Sequence, residues 1–248
     1  MDLALLVLAA CATALATGLG AVPVFLLGRR AVALRPVLWG LAAGLMGVAS
    51  VVGLLVPALR EGSTWAVGAG LATGLAFLLL SRRALRGHDV EVHGLRGAGV
   101  RRSVLVFAVL FVHSLPEGLA MGTAYAADTA GLALFVILAI ALQNIPEGTS
   151  VAIPMDAAGF GRREQFWAAV LTSAPQPVAA PVAYLLVERI EGLLPFSFAF
   201  AAGAMLALVA YELVPQAFTR PTWRSAAAGT LAGGLLMLGL SAALDVGP

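Results

Sequence analysis

Residues 103–125, SVLVFAVLFVHSLPEGLAMGTAY, decide how this chain is read. The run is long enough to cross a lipid core of ~30 Å as a helix, the form in which a backbone satisfies its own hydrogen bonds in hydrocarbon. Yet His113, Pro116 and Glu117 sit halfway along it. A charged carboxylate at that depth costs about 2.5 to 3.5 kcal/mol, against ~0.3 to 0.6 kcal/mol returned by each Leu or Val. Packing alone gives no reason for Glu117.

The same pattern is written again in the next apolar run. His113-Ser114-Leu115-Pro116-Glu117-Gly118 is answered by Gln143-Asn144-Ile145-Pro146-Glu147-Gly148. His113 and Glu117 are one helical turn apart, as are Gln143 and Glu147, so each pair lies on one helical face. Each proline removes a backbone donor, frees the carbonyl of Val112 or Leu142, and is expected to unwind its helix there. Gly118 and Gly148 allow another helix or an ion to come close. One imidazole with two carboxylates is an ordinary ligand set for zinc and also suits ferrous iron, manganese or cadmium, and two carboxylates offset a divalent charge. If these residues merely tied helices together as polar glue, their duplication in the same order would be unexplained.

Working outward, the whole chain is of this kind. It has 248 residues, 60% hydrophobic and 11% charged, with a mean hydropathy of +0.96, whereas soluble domains carry roughly one-quarter charged residues. Eight apolar spans are expected, at about 2–26, 37–58, 64–81, 103–125, 130–154, 166–187, 195–217 and 225–246. The fold class is therefore all-α, a polytopic bundle forming a single transmembrane domain over 1–248, with the lipid bilayer as its surroundings. Leu8-Ala9-Ala10-Cys11 resembles a lipoprotein cleavage box. Asp2 stands where a signal peptide is basic, so the first span is read as a membrane helix and Cys11 as one buried thiol. No basic arm with interleaved aromatics suggests nucleic acid as a partner.

All 15 basic residues are arginine. With the N-terminus outside, alternate loops on the inner side hold Arg29, Arg30, Arg35, Arg82, Arg83, Arg86, Arg96, Arg101, Arg102, Arg162, Arg163, Arg220 and Arg224, and only Arg60 and Arg189 fall outside. This bias places both termini outside or in the periplasm and makes 82–102 a cytoplasmic loop. His88 and His93, beside Asp89 and Glu91, give that loop a minor metal-holding or regulatory reading next to the plainer one of a hydrated loop. A faint repeat relates Gly44-Leu45-Met46…Leu55-Val56-Pro57 to Gly203-Ala204-Met205…Leu213-Val214-Pro215, on spans that cross in opposite directions. Inverted repeats of this kind are common in secondary transporters.

On the two Pro-Glu-Gly motifs, the eight spans and the loop between the third and fourth, the sequence resembles the Zrt/Irt-like (ZIP) family of divalent-metal transporters, its short GufA-like prokaryotic branch in particular. The resemblance implies a multi-pass plasma-membrane carrier, in a bacterium of the inner membrane. It would move a divalent cation, zinc first, into the cytoplasm by alternating access, without a prosthetic group and with a homodimer as its assembly. It implies that His113, Glu117, Gln143 and Glu147 line the transport site, that Met46 adds a sulfur ligand, and that Glu212 is the acid near the cytoplasmic exit. Gln143 stands where histidine is usual, which relaxes selectivity. In some members a second ion is held by groups at the positions of Ser114 and Asn144 and by a glutamate on the sixth span. Here that position is Gln176, so one ion is expected. An intramembrane metalloenzyme would want a motif such as His-Glu-x-x-His, which is absent, and no Walker sequence suggests ATP hydrolysis. A metal-binding receptor that does not transport is the remaining alternative.

Overall fold

The computed structural model describes residues 2–85, 98–129, 131–190 and 192–247. Among them are eight helices long and apolar enough to cross a membrane: α1 Leu3–Leu27, α2 Arg30–Glu61, α3 Thr64–Leu85, α4 Ser103–Ala126, α5 Leu132–Ala157, α6 Arg162–Arg189, α7 Leu193–Ala217 and α8 Trp223–Ala243. They outrun the expected spans most where polar residues close the ends, as at Arg30 and Glu61 on α2, because hydropathy fades before backbone hydrogen bonding does. At the other end of the chain α8 stops early. Asp245 takes a positive φ of 55°, and Val246 turns back to accept a hydrogen bond from the Ser241 hydroxyl. The connection expected over 82–102 is also shorter, since helix persists to Leu85 and resumes at Ala98. His88 and His93 lie outside the described residues.

Two expectations about local structure are revised. The α4 and α5 helices run through Pro116 and Pro146 without unwinding. A proline removes one rung of the ladder, and the turns on either side hold the helical path. Cys11 is exposed on a face of α1 that also presents Leu8 and Leu15, so it faces the lipid instead of the interior. Irregularity appears elsewhere: α1 is interrupted between Leu19 and Val22, α6 between Thr172 and Gln176, and both α2 and α7 contain a π-helical stretch, Ala49–Leu55 and Val209–Leu213. Each π stretch is followed directly by Val-Pro, at Val56-Pro57 and Val214-Pro215. The faint sequence repeat is thus a structural one.

Helix pairing extends this symmetry. The α2 helix packs along α8 as α7 packs along α3, and α1 along α5 as α6 along α4, while α1–α6, α2–α7 and α4–α5 meet across the middle. Exchanging 1 with 6, 2 with 7, 3 with 8 and 4 with 5 leaves this pattern unchanged, which is an inverted pseudo-two-fold. The pairing also defines two groups, α1/α4/α5/α6 and α2/α3/α7/α8. Within each, backbones meet at glycines: a Cβ on Gly148 would stand 1.8 Å from the Thr17 carbonyl oxygen, on Gly122 2.0 Å from that of Ala180, on Gly40 2.1 Å from that of Ala226 and on Gly74 2.1 Å from that of Phe200. Between the groups the contact is softer. At Gly53 on α2 the nearest atoms belong to the ring of Phe135 and the side chain of Val136 on α5.

Candidate metal site

The two motifs face each other across α4 and α5, which run in opposite directions. One turn is about 5.4 Å along a helix, so the residues fall on two levels, Glu117 beside Gln143 and His113 beside Glu147. All four are buried, none above 4% exposed.

On the first level Glu117 is tied down. Nε2 of Gln143 donates to its Oε1 at 2.7 Å, and Nε2 of Gln176 donates to its Oε2 at 2.8 Å. The network continues into α1: the Thr13 hydroxyl donates to Oε1 of Gln176 at 2.7 Å, and Nδ2 of Asn144 donates to the Thr13 carbonyl at 2.7 Å and to Gln176 Oε1 at 3.3 Å. One turn further along α1, Thr17 and Ser173 share a hydrogen bond of 2.6 Å. Gly118 lets α6 close on α4 here, since a Cβ on it would lie 2.9 Å from the Gln176 backbone.

The second level is open. His113 and Glu147 line a cavity of about 180 Å³ bounded by α2, α4, α5 and α7, at the seam between the two helix groups. It runs past Ser150, Ala42 and Trp39 to a mouth where Arg35, Glu212 and Gln216 stand, on the arginine-rich side of the membrane helices. Nδ1 of His113, Oε1 of Glu147 and Oε1 of Gln143 are buried with no hydrogen-bond partner. Orphaned polar atoms are costly in such a place. A cation would satisfy all three atoms, one imidazole nitrogen and two oxygens. Among the described residues no three His, Cys, Asp or Glu side chains stand close enough together to enclose a metal, and Glu117 is turned to its two amides.

The remaining candidates separate. Asn144 and Gln176 belong to the amide network of the first level. Glu212 lies at the mouth, paired with Arg82 at 2.7 Å. Met46 is fully buried, and its height follows from register: the Trp39 indole donates to Ser150, Gly53 meets Val136, and Met46 and Gln143 lie halfway between these two contacts on antiparallel helices. Thr13, Thr17 and Ser173 had no place in the sequence reading of the site. A hydroxyl in an apolar helix ordinarily bonds its own preceding turn, and Thr13, whose one proton is shared between Gln176 and the Ala10 carbonyl at 2.8 Å, does so too, so it announces nothing. The spacing of Thr13 and Thr17, one turn apart, was the available signal.

Residues 81–241 match the family model described as ZIP zinc transporter. The zinc transporter GufA of Myxococcus xanthus is 33% identical over 244 residues, covering 92% of this chain and 94% of its own. Zinc transporter ZIPB of Bordetella bronchiseptica is 33% identical over 243 residues, 92% of this chain and 78% of its own. A longer Arabidopsis thaliana protein whose name proposes zinc transport is 36% identical over 213 residues, of which this chain spans only 33% of the length.

Proposed function

This chain belongs to the ZIP family, and from that premise we propose that it carries Zn²⁺ into the cytoplasm by alternating access between its two helix groups. The family is one of transporters and not of enzymes, eight spanning helices make this a multi-pass membrane protein, and a divalent metal ion is its substrate. The choice of zinc, the inward direction, the plasma-membrane location with both termini outside, and the residues below are our reading.

The observation that carries the reading is the pair His113 and Glu147, which line a cavity at the seam of the two groups with buried polar atoms that have no partner. In this reading the ion binds between Glu147, His113 and the Gln143 oxygen, with Met46 level with Gln143, and Glu117 turns from its amides to complete the site. The cavity then leads it past Ser150 to Glu212. Because glycine contacts lock each group internally while side chains such as Phe135 form the seam, the seam is where movement costs least. One ion is expected, since Gln176 stands where a second ion would need a carboxylate.

Uptake of zinc, iron, manganese and cadmium into proteoliposomes tests this, with wild type beside Glu117→Ala and Glu147→Ala. Zinc uptake that collapses in both variants supports the site. Undiminished uptake in both sinks it, and no uptake of any metal by wild type favours a receptor.

A further inference from the structure

Where the cavity opens, Nε of Arg82, in the last turn of α3, lies 2.7 Å from Oε1 of Glu212 on α7, an ion pair without hydrogen-bond alignment, and both side chains are partly exposed, 15% for Arg82 and 19% for Glu212. Arg82 also sits over the Tyr211 ring at 5.8 Å, and Gln216 donates to Glu212 at 3.2 Å. Arg35 lines the same mouth from α2, stacked on Trp39 at 4.7 Å. Glu212 belongs to the π-helical stretch Val209–Leu213, and it shares its cavity with His113 and Glu147. An unpaired carboxylate at the end of a cation path is a trap: it attracts the ion and then delays its departure.

We infer that Arg82 is a release latch, a guanidinium that competes with the departing metal ion for Glu212 and returns to the carboxylate as the ion leaves. The inference rests on the transport path proposed above. Glu212 needs a partner that is strong enough to displace a cation yet itself unable to leave the protein, and Arg82 qualifies because it stays charged and is anchored by its helix and by Tyr211. Since Arg82 and Glu212 come from α3 and α7, which are packed together through Gly74 and Gly203, the latch stays with one helix group and works in every position of the other. Conduction then depends on the exchange of one ion pair for another of similar strength, with no net loss of charge pairing at the mouth.

The test compares wild type, Arg82→Gln, Arg82→Lys and the double variant Arg82→Gln/Glu212→Gln, by zinc uptake into proteoliposomes and by zinc bound per purified chain. Arg82→Gln should lower KM and Vmax together, each on the order of fivefold, the scale of a partly exposed ion pair, and should retain more zinc than wild type. Arg82→Lys should stay near wild type. The double variant should regain Vmax and lose the extra zinc. A mere brace between α3 and α7 would leave the double variant as impaired as the single, and that result, or an Arg82→Gln that behaves as wild type, overturns the latch. If wild type moves no zinc, the transport reading fails, and the zinc count still decides the latch: no extra zinc in Arg82→Gln refutes it.

Discussion

Gln143 on α5 donates through Nε2 to Oε1 of Glu117 on α4 at 2.7 Å, while its own Oε1 is buried without a partner. One amide therefore fixes the acid with its nitrogen and, in the proposed site, would offer its oxygen to the ion. Removing it takes away both. Gln143→Leu should lower zinc uptake by roughly ten- to a hundredfold, the cost of losing a partner that orients a metal ligand. Gln143→His keeps a donor and supplies a nitrogen ligand, so it should sharpen the preference for zinc over manganese. Competition assays in proteoliposomes measure both, and an unchanged metal preference in Gln143→His would count against Gln143 as a ligand.

Thr13 is the far end of the chain that holds Glu117. Its hydroxyl donates to Gln176 Oε1 at 2.7 Å, and Gln176 donates to the carboxylate. Thr13→Val keeps the shape and removes the donor, leaving that oxygen only the longer bond from Asn144 at 3.3 Å. The expected cost is about 1–3 kcal/mol of stability, with Thr13→Ser close to wild type. Thermal unfolding in detergent is the measurement, and equal stability of the valine variant would remove Thr13 from the network's support.

Gly148 follows the glutamate of the second motif and is where α1 meets α5. A Cβ there would lie 1.8 Å from the Thr17 carbonyl oxygen, a backbone atom that cannot rotate away. Gly148→Ala should cost about 3 kcal/mol, the upper end of overpacking. It should also reduce the folded yield, whereas Gly68→Ala, with open space around it, should not. Size-exclusion profiles and unfolding temperatures distinguish the two, and a well-folded Gly148→Ala would mean that α1 and α5 are not held by this contact.

The motifs on α4 and α5 were legible because Glu117 and Glu147 break the one rule that apolar spans obey, and break it twice in the same order. The spans followed from composition, and the symmetry could be glimpsed in two Val-Pro pairs, at Val56-Pro57 and Val214-Pro215. The split of the site into two levels was not legible. It depends on the antiparallel register of α4 and α5, which no local pattern encodes. Nor could the sequence show that Glu117 turns toward Gln176, a residue on another helix, or that Arg82, counted only as one of many inner arginines, meets Glu212. Pro116 and Pro146 misled for a related reason: a proline's local cost is visible in sequence, while the packing that lets the helix continue past it is not.

The cavity beside His113 and Glu147 separates conduction from stability in a way the glycine contacts cannot. Val109 lines it from α4, one turn before His113, and is partly exposed to its open space of about 180 Å³. Val109→Phe extends a side chain into that space without pressing on a backbone. Filling a cavity commonly leaves stability unchanged or raises it by about 0.5–2 kcal/mol. If the ion travels this way, zinc uptake should fall by tenfold or more while the unfolding temperature holds or rises. Zinc bound per chain should change little, because the ligands one turn away are untouched. A variant that transports normally would show that the ion leaves by another route, and one that loses stability along with transport would show that the added ring does not fit this space.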